Sequence, residues 1–247
     1  MRILVVSDIH GNRAALEAVR EPHDVCLCLG DVVDYGPEPA ACVDWVRANA
    51  AHCVRGNHDH GVAHDVEVQG VSGFRYLTAA TRPVTVRLLS PDQRRYLADL
   101  PTSAMLALGG KRFLMVHGTP RDPLDEYALA TAENWAPLLA GLNVDFVLVG
   151  HTHQLYALDV NGVTVVNPGS VGLNRNNDPR ATYAVIDDGR VELKSVEYPV
   201  EETVAALDRF LPRNALARQM LTETYRGNGL LARWAKTSPP SDETTPS

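Results

Sequence analysis

Five short polar clusters hold the residues able to do chemistry: Asp8-Ile9-His10, Gly30-Asp31, Gly56-Asn57-His58-Asp59, His117-Gly118 and Gly150-His151-Thr152-His153. Each follows an apolar run, so each falls where a strand ends and a loop begins. In α/β sheets ligands bind outside the carboxyl ends of the strands. Asp, Asn and His gathered at one such edge, without thiolate, form a metal-site pattern. It suits Mn²⁺, Fe, Zn²⁺ or Ni²⁺ rather than a structural cysteine–zinc site. Asp8 and His10, two residues apart, share one side of an extended segment, as two ligands of one ion require. His151 and His153 do the same, but could serve neighbouring ions. Two ions about 3.5–4 Å apart form a clamp for phosphoryl groups, and Asp31 is the natural carboxylate to bridge them. Gly11, Gly30, Gly56, Gly118 and Gly150 let the backbone turn sharply beside these residues.

Each cluster taken singly has an ordinary explanation. D-x-H reads as a solvated turn, H-x-H as a hydrogen-bonding pair and GNHD as a turn. His117 reads as a satisfied core histidine. Their shared order and strand-end placement separate them from those readings.

The elements that must position these residues follow from hydrophobic pattern. Residues 2–7, 25–29 and 52–55 read as strands, separated by helices at 12–20 and 39–47. This β-α-β-α-β rhythm predicts a mainly parallel sheet. Residues 65–100 are less regular, with a helix at 91–100 after a Ser90 cap. Strands at 103–108 and 112–117 pair across Gly109-Gly110. A helix spans 131–140, kinked or divided by Pro137, and a strand follows at 146–149. Hairpins at 155–167 and 181–198 turn at Asn161-Gly162 and Asp188-Gly189. Helices close the chain at 200–210 and 213–225. Residues 237–247 (TSPPSDETTPS) have the composition of a disordered end. The expectation is a layered α/β protein with two sheets, one largely antiparallel at the C-terminal side. A single domain spans 1–235 and a disordered tail spans 236–247.

The chain has 247 residues, with 23 Lys plus Arg against 30 Asp plus Glu, a net charge of −7. That balance, without a basic stripe, disfavours nucleic acid as a partner and a nuclease activity. A local positive site can still come from bound metal. No apolar run reaches the ~18 residues of a membrane span, so no membrane partner is expected. The N-terminus does not read as an export signal, and the four cysteines read as buried structural thiols. The expectation is a reduced, cytoplasmic protein. Nothing specifies an oligomeric interface.

The ordered set D-x-H, GD, GNHD, H and GH-x-H resembles the calcineurin-like metallophosphoesterase superfamily, over residues 1–198. NPGSVG at 167–172 followed by Arg175, and GDVVDYGPEP at 30–39, are similar to its small prokaryotic members. The resemblance implies a four-layer α/β/β/α fold: a two-sheet β-sandwich of mixed sheets flanked by helices. It implies that Asp8, His10 and His153 hold one metal ion and that Asn57, His117 and His151 hold the other, with Asp31 bridging. Two divalent cations would clamp the phosphoryl oxygens and supply hydroxide near neutral pH for in-line attack. His58 is the candidate general acid. Asp34 would orient it, as the second Asp of the similar GD-x-x-D motif does in phosphoprotein phosphatases, or serve as a turn acceptor.

One position departs from that pattern. Those phosphatases continue with an arginine that grips phosphate, where this chain has Tyr35. Without that bidentate cation, phosphoprotein phosphatase activity is disfavoured. Tyr35 then stacks on a base or aryl group, or packs on Pro37. Asn12 either reaches a phosphate oxygen or caps the next helix, and capping is favoured. Arg175 and Arg180, in a polar loop near the second sheet, either contact phosphate or belong to a solvated loop. His60 and His64 read as surface or lid residues, His23 and His52 as structural. The expected function is hydrolysis of a small phosphomonoester or phosphodiester, nucleotide-like in character. Diadenosine polyphosphates and cyclic nucleotides are the sharper options. The alternative is a non-catalytic scaffold or interaction module of the same fold.

Overall fold

Strand β1 (Arg2–Val6) is short, apolar and β-branched, and four of its five residues are buried. Its alternating side chains enter two different cores. Ile3 and Val5 join one, Leu4 and Val6 the other. A strand covered on both faces has no reason to alternate polar and apolar residues, so its run is continuously hydrophobic.

The computed structural model describes residues 1–228. The disordered-end reading at 236–247 lies outside the described residues. Around β1, the parallel strands β2 (Val25–Cys28) and β3 (His52–Cys53) lie on one side. The antiparallel hairpin β9 (Ala181–Asp187) and β10 (Arg190–Val196) lies on the other. The first sheet therefore runs β10-β9-β1-β2-β3. The second is built from β4 (Ser103–Leu108), β5 (Lys111–Val116), β6 (Phe146–Leu148), β7 (Leu155–Val160) and β8 (Val163–Pro168). Its order is β4-β5-β6-β8-β7, with β5, β6 and β8 parallel and an antiparallel strand at each edge.

The C-terminal strands thus do not form an antiparallel sheet of their own, as the hairpin-rich sequence predicts. β7 and β8 complete the second sheet, while β9 and β10 extend the first. Hairpin turns are local and legible. Asn161, Gly162, Asp188 and Gly189 all take positive φ, the conformation these turns demand. Which sheet a hairpin joins is a long-range packing choice.

The two sheets pack face to face. Ile3, Val5 and Leu29 from the first meet Phe113, Met115 and Leu148 from the second. The Phe113 and Phe146 rings stack at 4.8 Å. Outside the first sheet lie α1 (Arg13–Ala18), α2 (Pro39–Asn49), α3 (Asn57–Ala63) and α5 (Pro91–Asp99). Outside the second lies α6 (Ala132–Leu139), whose Trp135 and Leu139 pack on Val147 and Val165. α6 carries Pro137 yet remains one helix. α4 (Gly73–Leu88), α7 (Val200–Phe210) and α8 (Ala215–Tyr225) share a core that also holds Tyr35 and Leu173. This is the four-layer α/β/β/α arrangement of mixed sheets. All four cysteines are buried and unpaired. No helix among the described residues is long and apolar enough to cross a membrane.

Candidate metal centre

Five strands deliver the site from their carboxyl ends: β1, β2 and β3 of the first sheet, β5 and β6 of the second. Asp8 and His10 follow β1, Asp31 and Asp34 follow β2, and Asn57 and His58 follow β3. His117 follows β5, and His151 and His153 follow β6. The site therefore lies where one edge of each sheet comes together.

The side chains fall into two groups. In the first, Asp8 Oδ1 is 3.0 Å from His153 Nε2 and 3.7 Å from His10 Nε2. The two imidazole nitrogens are 3.1 Å apart. In the second, formed by Asp31, His117 and His151, Asp31 Oδ2 is 3.1 Å from His117 Nε2. That oxygen is also 3.8 Å from His10 Nε2, so it faces both groups. Within each group one donor atom per residue lies within 4.8 Å of the others.

The remaining hydrogen bonds fix which atom each residue offers. His10, His117 and His153 donate Nδ1–H to the carbonyls of Val33, Leu29 and Leu173, so Nε2 is the atom each turns to the site. His151 is reversed: Nε2–H donates to Asp125 O, which leaves Nδ1. Such outer bonds set tautomer and ring orientation in metal sites. Asp8 Oδ1, Asn57 Oδ1 and His117 Nε2 are buried without a hydrogen-bond partner. An orphaned buried polar atom costs about 1–3 kcal/mol, and such atoms on residues of the two groups fit divalent cations.

Charge agrees with that fit. Burial pushes the Asp8 and Asp31 carboxyls up, but facing histidines outweigh it and hold both well below the usual range. Burial and the neighbouring His117 lower His151 to about 4. Burial and Arg175 lower His153 to about 3, so both imidazoles are neutral near pH 7. Burial also lowers His117, but Asp31 outweighs it and lifts it to about 10. A cation entering there displaces that proton.

The backbone is strained where the ligands sit. Asp8, His10, Asp31, Asp34, Tyr35, His151 and His153 all have φ between 47° and 67°. This left-handed region disfavours side chains with a Cβ, and such strain clusters at functional sites. Buried bonds hold it in place. The Asp59 carboxylate accepts from the amides of Val32 (2.8 Å), Asp31 (2.8 Å) and Gly56 (3.1 Å), tying two ligand loops together. Burial and the Asp31 charge push Asp59 up to about 7. Pattern reasoning gave Asp59 no role. Its signal was an acid at the third position of a helix, reaching back to the cap amide. GNHD is accordingly the first turn of α3 rather than a free turn.

His58 stands beside the second group. Its Nδ1 is 2.8 Å from Asp34 Oδ2, as expected for an imidazole oriented by a carboxylate. Its Nε2 is 3.3 Å from the Tyr35 hydroxyl, which is 2.9 Å from Thr78 Oγ1. Tyr35 is 1% exposed, so it offers no face to a base. It packs edge-on against His10 and Phe74 rather than lying open to substrate. Arg82 was not anticipated. It is buried, and donates Nε–H and Nη2–H to the same Asp34 oxygen.

Two candidate substrate residues are engaged elsewhere. Asn12 is fully buried and caps α1 through Ala15 N. Its oxygen also accepts from Thr203, and its Nδ2 donates to Gly172 O and the Tyr198 hydroxyl, leaving nothing for phosphate. The Arg180 fork is spent on Asp178. Arg175 does reach the site, with Nη2 3.3 Å from His153 Nε2 and its guanidinium 4.0 Å over Phe74. His60 lines the cavity with its ring 4.6 Å from that of His64. His23 and His52 are exposed, His23 bonded to Glu21 O and His52 within β3. A cavity of about 500 Å³ opens at this place, lined by Asn57, His58, Phe74, Tyr127, His151 and Arg175 among others.

Comparison with known proteins agrees. Residues 1–189 match the calcineurin-like phosphoesterase superfamily domain, and the chain belongs to that superfamily. A metallophosphoesterase of Sphaerobacter thermophilus superposes with a TM-score of 0.75 at 31% identity, covering 92% of this chain and 98% of that one. An uncharacterised protein of Methanocaldococcus jannaschii is 29% identical over 81% of this chain and 89% of its own length. The phosphodiesterase YfcE of Escherichia coli is 28% identical over 76% of this chain and 88% of its own length. Family and named relatives together make the chain a metal-dependent phosphoesterase.

Proposed function

We propose that the protein is a cytoplasmic, dinuclear phosphoesterase, one domain over residues 1–235, that hydrolyses a small nucleotide-like phosphomonoester or phosphodiester. The observation that carries this reading is the sharing of Asp31 Oδ2 between the two donor groups, with the His58–Asp34 pair alongside. Asp8, His10 and His153 would hold one ion, and Asn57, His117 and His151 the other, with Asp31 between them. Mn²⁺, Fe, Zn²⁺ and Ni²⁺ all suit this mixed oxygen and imidazole set. When bound, such cations supply charge for the phosphoryl oxygens and an acidified water near neutral pH.

The chain's own groups do the rest. Asp34 accepts from His58 Nδ1–H, and the pair is buried, so the imidazolium is supported in one orientation. His58 Nε2 then carries the proton that passes to the leaving oxygen as the P–O bond breaks. Arg175 brings its cation to the cavity from the loop after β8. It stands in for the arginine that the phosphoprotein phosphatases place at the position of Tyr35.

The test is metal content and turnover on one preparation. Elemental analysis should give two divalent ions per chain after Mn²⁺ loading, and the loaded protein should hydrolyse bis-p-nitrophenyl phosphate. Two ions bound without cleavage of any phosphoester would favour the scaffold reading instead.

A further inference from the structure

A second cavity, of about 700 Å³, reaches the site at His153 and does not include His58. It is lined by His153 of the first donor group, together with Leu129, Gln154, Leu155 and Asn176. The first cavity is lined by His58, Asn57 and His151, on the side of the second donor group. Both include Tyr127 and Arg175, which form the partition between them. Both volumes fall within the roughly 300–1,000 Å³ of small-molecule sites.

The partition is chemically prepared. Arg175 Nε is buried without a hydrogen-bond partner, and Arg175 forms no ion pair among the described residues. Tyr127 is 60% exposed and Leu129 64%, large apolar surfaces left uncovered beside a polar centre. No carboxylate lines the second cavity, while Gln154 and Asn176 bring amides that can donate and accept. An aromatic face, an aliphatic wall and two amides match an uncharged heterocycle on a sugar. They do not match a second phosphate, which would need further cations.

A phosphomonoester has one organic arm, and that arm leaves. It needs one cavity, the one that holds the acid. A phosphodiester has a second arm, which neither enters nor leaves and must lie to the side of the in-line axis. We propose that the protein is a phosphodiesterase in which the leaving arm occupies the His58 cavity and a retained nucleoside arm occupies the His153 cavity. This rests on the phosphoesterase reading above. In the step, a water oxygen forms a bond to phosphorus and the bond to the leaving oxygen breaks. The leaving oxygen takes the His58 proton, and the water's protons restore the acid and enter bulk solvent. The products are an alcohol on the His58 side and a nucleoside monophosphate on the His153 side.

The test uses the Mn²⁺-loaded full chain and two substrates with the same leaving group: the p-nitrophenyl ester of thymidine 5′-monophosphate, and p-nitrophenyl phosphate. Wild type should show kcat/KM at least about ten-fold higher for the diester. The double variant Leu129→Ala, Gln154→Ala alters two exposed residues of the second cavity. It should raise KM for the diester about ten-fold, and leave kcat/KM for the monoester within about two-fold. Equal efficiency of wild type on both esters would overturn the proposal, as would a double variant that changes both substrates alike or neither. Failure to cleave either ester would overturn the phosphoesterase reading itself, and this proposal with it.

Discussion

Arg82 and Asp34 form a buried ion pair in which Nε, at 2.9 Å, and Nη2, at 2.6 Å, both donate to one carboxylate oxygen, Oδ2. His58 Nδ1 is 2.8 Å from that same oxygen. Asp34 therefore serves both side chains, and Arg82 holds the carboxylate that holds the imidazole. Breaking a buried pair by removing one partner costs about 3–5 kcal/mol, since the other charge stays buried and unpaired. Arg82→Ala is expected to lose that much stability in chemical denaturation and to lower kcat by releasing Asp34. Gly61 on α3 offers an independent check. A Cβ there would fall on the Arg82 guanidinium, so Gly61→Ala should reproduce a share of both defects while keeping every charged group. A Gly61→Ala protein with wild-type stability and kcat would show that the Arg82 fork is dispensable.

Gly56 makes a related point about the metal centre. Its φ of −86° is open to any residue, so conformational freedom does not explain it. What it provides is room. A Cβ would collide with Asp31 Oδ1 and with the Asp31 amide, and would lie 2.8 Å from Cγ. Gly56→Ala should displace the carboxylate that both donor groups share. Metal content after Mn²⁺ loading and desalting is expected to fall below two ions per chain, although every proposed ligand remains. Retention of two equivalents would remove Asp31 from the bridging position.

These two positions mark how far the sequence could be read. The clusters holding the seven proposed ligands stand out because each comes within a few residues of a strand end, a signal local in the chain. Ser90 and Asn12 were legible as caps from equally local signals. Arg82 was not. It lies on α4, whose buried face is Leu77, Thr78, Thr81, Arg82 and Thr85. That spacing is helical but the face is mostly polar, so hydrophobic periodicity is silent. Pro83 in its middle also reads as a breaker. α3 is hidden similarly, since its seven residues include two histidines, an asparagine and a glycine. Its helix is secured instead by Asp59, whose other contacts are to loops 27 and 28 residues away. The C-terminal hairpins were legible as hairpins. Their division between two sheets was not, because it is decided by which sheet edge buries each apolar face.

Glu21 links three strands of the first sheet. Its carboxylate accepts from Arg2 of β1 at 2.6 Å, Lys194 of β10 at 2.9 Å and Tyr183 of β9 at 3.0 Å. Burial pushes the carboxyl up, but bonds from Arg2, Lys194 and Tyr183 outweigh it and hold it at about 2, against an ordinary 4.5. A carboxyl depressed in the folded state contributes stability that is complete above its unfolded value and disappears as pH falls through its folded one. The contribution is therefore whole above about pH 4.5 and lost towards pH 2. Glu21→Gln should be less stable than wild type at pH 7, and the two should converge between pH 4.5 and 2. Denaturation midpoints across that range measure it. A constant difference would mean that packing, rather than the charge, is what Glu21 supplies.

The role of His58 can be separated from mere support of the α3 turn by the leaving group. His58 lines the cavity together with Asn57, and its Nδ1 is committed to Asp34. A general acid matters in proportion to the basicity of the oxygen that departs. p-Nitrophenolate is stable as an anion and needs no proton, whereas a nucleoside alkoxide does. His58→Ala should therefore cost about 10²–10⁴-fold in kcat on a dinucleoside phosphate, and much less on the p-nitrophenyl ester of thymidine 5′-monophosphate. Asp34→Asn should follow the same pattern with a smaller loss, because it weakens the imidazolium without removing it. A structural role predicts something else. If His58 only held the Asn57 turn, the variant would lose metal and fall equally on both substrates. Metal content measured on the same His58→Ala preparation decides between the two, since an acid can be removed while both ions stay in place.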